Sequence, residues 1–193
     1  MKNNFAKIIT LIALVFVAAA SRLLPHPFNF TPIGGMALVG AAYFPKRWMS
    51  FALPILAFWL SNLFLDNVTY HQENSNFIWF SSIWSYLSFG LIILLGFYSL
   101  RNQRITPLKV GASAVAASTI FFLVTNGVIL FQNPPLYPLS WAGLMNSYVA
   151  GIPFFGNAIA GDLFYSFLMF AVMEWSFQKS NIFKNSANEV SKS

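Results

Sequence analysis

No cysteine occurs among the 193 residues, which excludes disulfides, thiolate chemistry and cysteine-ligated metal. Charge is nearly as scarce. Asp, Glu, Lys and Arg make up 8% of the sequence, against about 25% in an ordinary soluble domain. Two histidines and five carboxylates are present, mostly scattered, which is a poor set for catalysis. There is no Gly-x-x-x-x-Gly-Lys-Ser/Thr phosphate loop, no His-Glu-x-x-His zinc motif and no Gly-x-Ser-x-Gly nucleophile elbow. Neither a cofactor nor a metal is expected, and no enzymatic activity.

What fills the chain instead is apolar: 57% of it is hydrophobic, with 22 Phe. Such a composition predicts an integral membrane protein with almost nothing outside the lipid bilayer. The apolar stretches fall at about 7–24, 33–44, 48–65, 78–98, 110–131 and 157–177. A proline-rich break at 25–32, a polar loop at 66–77 and an uncharged loop at 132–156 form the first, third and fifth junctions between them. The predicted fold is all-α, a polytopic membrane bundle of six transmembrane helices. It occupies 1–178 as one domain, followed by a disordered cytoplasmic tail, 179–193.

Segment 33–44 is short for a span, since crossing the hydrocarbon takes about 20 residues. The placement of cations argues that it crosses. Ten of the eleven Lys and Arg form four groups: Lys2 and Lys7; Lys46 and Arg47; Arg101, Arg104 and Lys109; Lys179, Lys184 and Lys192. With six crossings all four groups face the cytoplasm, as the positive-inside rule requires. That places both termini on the cytoplasmic side of the membrane. The net charge of +6 is then membrane sidedness, and no nucleic-acid partner is expected. Met1 to Ala20 also has the pattern of a signal peptide, whose removal would leave five spans.

Arg22 is the exception, alone near the outer face. A cation close to the membrane core is costly without a partner or a purpose. Other polar side chains converge on the same level: Asn29 and Thr31 in the first loop, Asn62 and Asp66 at the end of the third stretch, Thr125 and Asn126 near the end of the fifth, Asn157 and Asp162 at the start of the sixth. A one-sided polar cluster fits a pocket open to the outside better than a through-channel. Arg22, Asn29, Thr31, Asn62, Asn126, Asn157 and Asp162 are the candidate ligand-binding residues. The plainer readings are that Arg22 and Asp162 neutralise one another, that Asn62 and Asn126 are interhelical hydrogen bonds, and that Asp66 is a solvated loop-edge carboxylate. Glu174 can pair with Lys179. His26 with Asp162 is the one catalytic dyad that can be constructed, and His71 carries less. Ala37 and Ala41 lie four apart on one helix face, which suits close packing inside the bundle or docking of another membrane protein.

The stretch from Arg22 to Leu38, together with Leu60-Ser61-Asn62, Thr125-Asn126-Gly127, Ile152 to Asn157 and Gly161 to Tyr165, resembles an uncharacterised bacterial multi-pass membrane family (DUF6580-like). That family is similar in size and layout to the substrate-binding S components of energy-coupling-factor (ECF) transporters. The resemblance implies a small-molecule ligand held in an outward pocket beneath the loop after the first span. It also implies a transmembrane coupling protein and ATPases as partners, docked through Ala37 and Ala41. Asn62 stands where the family pattern leads one to expect Asp. The alternative is a membrane scaffold or envelope-assembly protein in which the polar cluster is structural.

Overall fold

A computed structural model describes residues 2–70, 76–131 and 138–190, with side chains over 5–70, 76–129, 131 and 138–177. The described residues are all-helical, with six α-helices and no strand: α1 (Lys2–Ser21), α2 (Ile33–Tyr43), α3 (Arg47–Phe64), α4 (Ile83–Ser99), α5 (Pro107–Gly127) and α6 (Trp141–Val190). A π-helical turn, Leu65–Thr69, extends α3, and a 3-10 turn, Val128–Leu130, ends α5. Three helical stretches are long and apolar enough to cross a membrane: Arg47–Thr69, Pro107–Gly127 and Trp141–Phe177. Phe5–Ser21, Ile33–Tyr43 and Ile83–Ser99 are apolar but shorter.

The short α2 is the axis of the bundle. Its residues Ile33 to Ala41 are all buried, and it packs against each of the other five helices. At 11 residues it is about 16 Å long, half the hydrocarbon thickness of about 30 Å. A helix apolar on every side belongs inside a bundle. Close approach comes from small residues: a Cβ on Gly96 of α4 would lie 2.6 Å from the Ala41 Cβ, and one on Gly40 would lie 2.8 Å from Pro54 Cγ. Ala37 and Ala41 are therefore spent on this protein's own packing. Both are fully buried, which corrects the expectation that they present a docking face. Around α2 the core gathers Leu11, Val15, Ala18 and Ala19 of α1, Phe58 of α3, Phe89 and Ile93 of α4, Ala114 and Ala117 of α5, and Met169 and Met173 of α6.

Buried helix ends need partners for their unpaired backbone groups. Both ends of α2 receive one from a distant charged side chain. At the N-terminus, Asp162 Oδ1 accepts the Gly34 amide at 2.7 Å. At the C-terminus, Arg101 donates from Nη1 to the Ala41 carbonyl and from Nη2 to the Pro45 carbonyl, each at 3.2 Å. An anion at the N-terminus and a cation at the C-terminus also complement the helix dipole.

Three boundaries differ from the sequence reading. The expected loop 132–156 is helical from Trp141 onward. Ser140 starts it, with its Oγ accepting the Gly143 amide at 3.1 Å. The helix then ties to α5 through Ser147 Oγ donating to the Asn126 carbonyl and Tyr148 Oη donating to the Leu123 carbonyl. Pro153 lies inside α6 without ending it. Residues 78–82 precede α4 instead of opening it, because the Asn67 side chain pairs with both backbone groups of Ile78, at 2.7 and 2.8 Å. Finally, α6 is helical through Val190, across most of the segment expected as a tail. The side chain of Lys179, the expected partner of Glu174, lies outside the described residues, as does His71. Glu174 Oε1 instead accepts a hydrogen bond from Tyr43 Oη.

Candidate functional site

Successive helices run in alternate directions, so the end of α1, the start of α2, the end of α3 and the start of α4 meet at one end of the bundle. A cavity of about 280 Å³ lies there. Its walls bring Arg22, Asn29, Thr31, Asn62 and Asp162 together, five of the seven residues nominated by sequence. The other end collects Lys7 over the Phe177 ring at 4.2 Å, Arg101 at the turn after α2 and Lys109 bonded to Gln103. The cationic turns and the cavity are thus at opposite ends.

Arg22 follows the last turn of α1. One guanidinium nitrogen donates to Ser61 Oγ of α3, and the group stacks over the Phe58 ring at 4.8 Å. Its Nε is buried with no hydrogen-bond partner. Arg22 and Asp162 do not neutralise each other: the opposite charge acting on Arg22 is Asp66. Asp66 sits in the π-helical turn, lines the same cavity and accepts a hydrogen bond from Ser81 Oγ. It is part of the cavity wall, not the solvated loop-edge carboxylate expected from sequence. Tyr86 Oη is buried beside the Asn62 amide. Unpaired buried donors are rare in folded proteins, and each calls for an explanation such as water or a ligand.

Asp162 is occupied. One oxygen caps α2 at Gly34 and the other accepts from Ser118 Oγ of α5 at 2.6 Å. A Cβ on Gly34 would lie 2.6 Å from the carboxylate, so glycine is what lets it approach. Both His26 ring nitrogens face carbonyl oxygens, of Pro27 at 2.9 Å and of Arg22 at 3.2 Å. The dyad of His26 with Asp162 is not formed.

The first loop lies across the cavity and is seated on α6. A Cβ on Gly161 would meet the Thr31 nitrogen at 2.7 Å. Asn157 Nδ2 donates to the Phe28 carbonyl at 3.0 Å, so Asn157 anchors the loop instead of lining the cavity. Phe28 packs edge-on to Phe154, and Phe30 packs against Tyr165. Asn29 turns the chain with a φ of 62°, a conformation that Asn tolerates better than most residues. Asn126 lines a neighbouring chamber of about 300 Å³ that shares Asn29, Ser85, Phe121 and Ala158 with the first. Its own Nδ2 donates to the Phe122 carbonyl one turn back.

Sequence reasoning missed Ser61, Ser81, Ser118 and Tyr86. Serines inside apolar helices carry no pattern that separates a cavity partner from a local bond to the preceding turn. An isolated Arg near a membrane interior calls for an acidic residue at its own level, a signal that points to Asp66 and Asp162 alike.

The fold and the site define an all-helical bundle with three helices fit to cross a membrane and a charged cavity at one end. The chain belongs to a family of unknown function, DUF6580, whose model matches residues 2–185. No match is found among curated proteins or solved structures.

Proposed function

We propose that this protein is a six-span subunit of the bacterial cytoplasmic membrane, with both termini cytoplasmic, that takes a small nutrient into the cavity at its outer end. In this reading it resembles the S component of an ECF-type importer. The observation that carries it is the buried Arg22 Nε, without a hydrogen-bond partner, in the wall of a cavity of ligand size. The loop at 25–32 supports it, lying over the cavity as a cover. Arg22 supplies the charged contact and Asn29, Thr31 and Asn62 the orienting polar groups. Asp162, Asn157 and Asn126 hold the surrounding structure. With Ala37 and Ala41 buried, a coupling protein with its ATPases would engage a different face.

The test is thermal unfolding in detergent, with native mass spectrometry of the gently extracted protein. The expected result is a co-purified small molecule, whose addition raises the Tm of wild type and not that of Arg22→Ala. The second reading is a membrane scaffold or envelope-assembly protein, favoured by the purely structural engagement of Asp162. A co-purified envelope protein, with no small molecule and no ligand response, would establish it instead.

A further inference from the structure

The cavity contains opposite charges that are kept apart. Arg22 is held by Ser61 and the Phe58 ring. Asp66 is held by Ser81. Both line the one cavity, and no ion pair joins them. Opposite charges in a low-dielectric site attract strongly, and buried membrane charges normally pair directly. Here separate partners hold each one, and both stand in the wall of one cavity.

The cavity's other carboxylate and its histidine do not compete. Asp162 is committed to Gly34 and Ser118, and His26 faces two backbone carbonyls. The start of α2, otherwise an anion site, is filled by Asp162. Arg22 is thus the position for an anionic group and Asp66 the position for a cationic one. Phe58, Phe121 and Leu65 supply apolar wall between the polar groups. A volume of about 280 Å³ lies at the small end of ligand pockets, about 300–1,000 Å³.

We infer that the cavity's ligand is a small zwitterion of the amino-acid type, with its carboxylate on Arg22, its ammonium on Asp66 and an apolar body against Phe58 and Phe121. A molecule with one charge would leave the opposite wall charge desolvated and unpaired, which is strongly unfavourable. The proposal rests on the ligand-binding reading above and specifies its substrate class.

The experiment uses the full chain in detergent. Leucine and phenylalanine are compared with their amine-free analogues, 4-methylpentanoate and 3-phenylpropanoate, and their carboxylate-free analogues, 3-methylbutylamine and 2-phenylethylamine. Glycine, β-alanine and 4-aminobutyrate vary the separation of the charges. Any co-purified molecule is identified by native mass spectrometry. The expected result is a Tm rise with at least one zwitterion, at least ten-fold weaker binding of the singly charged analogues, and at least ten-fold loss in both Arg22→Gln and Asp66→Asn. Arg22→Lys keeps the charge and retains part of the affinity, which separates loss of contact from misfolding. Equal binding of a carboxylate-only analogue with no effect of Asp66→Asn overturns the zwitterion and leaves the binding reading standing. So does a co-purified ligand with one charge or none. No Tm rise with any compound and no co-purified molecule overturns both.

Discussion

Asp162 of α6 accepts the backbone amide of Gly34 at 2.7 Å across 128 positions of sequence. A carboxylate thereby caps a helix buried in the middle of the bundle, with Ser118 of α5 as its second donor. Asp162→Ala would leave the Gly34 amide unpaired in the core and the Ser118 hydroxyl with only the Ala114 carbonyl, at 3.3 Å. An unsatisfied buried group costs about 1–3 kcal/mol, so a loss of about 3 kcal/mol is expected. Ser118→Ala removes one donor and should cost about 1 kcal/mol. Gly34→Ala keeps every polar group but drives a methyl into the carboxylate, at about 2 kcal/mol. Thermal unfolding should place Asp162→Ala lowest, Gly34→Ala next and Ser118→Ala nearest to wild type. A Gly34→Ala protein as stable as wild type would show that the carboxylate does not sit on α2.

The other end of α2 gives an independent case. Arg101 reaches the Ala41 and Pro45 carbonyls with separate nitrogens and rests on the Phe97 ring at 5.0 Å. Arg101→Ala should destabilise by about 2 kcal/mol, since hydrogen bonds to charged groups are worth about 1.5–3 kcal/mol. Arg101→Lys should recover less than half, because an ammonium cannot fork to two acceptors in the same geometry. The residue is at the end opposite the cavity, so ligand affinity should not change. A Lys variant as stable as wild type would reduce Arg101 to a cytoplasmic topology signal.

Much of this architecture was legible in the sequence, and the gaps have physical reasons. Apolar runs and proline breaks located the helices. The lone Arg22 marked the right end of the bundle, where Asn29, Thr31, Asn62 and Asp162 do meet it. The role of α2 could be half read: its small residues announced close packing, but not that every face would be covered. Residues 141–156 were misread because prolines and a lack of charge over 132–156 looked like a loop, whereas Ser140 and contacts to α5 start a helix there. The partner of Arg22 was misassigned because matching opposite charges by depth cannot show which ones helix rotation brings face to face. Asp66 and Asp162 are equally acidic in sequence. The π-helical turn aims one at the cavity, and Gly34 draws the other into a cap.

The absence of cysteine makes topology directly measurable. Phe28 in the first loop and Asn102 in the turn after α4 are both exposed, at opposite ends of the bundle. In intact cells a membrane-impermeant maleimide should label Phe28→Cys. It should label Asn102→Cys only after permeabilisation. The opposite pattern would invert the orientation drawn from the cations and put the cavity on the cytoplasmic side. Labelling of both sites in intact cells would mean that the chain is not arranged as a cell-membrane bundle at all.

Gly161 tests whether the first loop is a cover or only a connection. The backbone of Phe30 and Thr31 lies on it so closely that a Cβ would come within 3.0 Å of the Phe30 carbonyl carbon and 2.7 Å of the Thr31 nitrogen. These are backbone atoms of a loop, so the loop must lift, while the helix itself tolerates alanine better than glycine. Gly161→Ala should therefore unfold within a few degrees of wild type. Its Phe28→Cys derivative should be modified faster than the same cysteine with Gly161 in place. If the loop encloses a ligand, dissociation should quicken by at least ten-fold, since closure acts mainly on the off-rate. Asn157→Ala, which removes the tether to the Phe28 carbonyl, should move both readouts in the same direction and by less. Unchanged labelling and dissociation in both variants would make the loop a fixed wall, and ligand entry would then have to occur between helices.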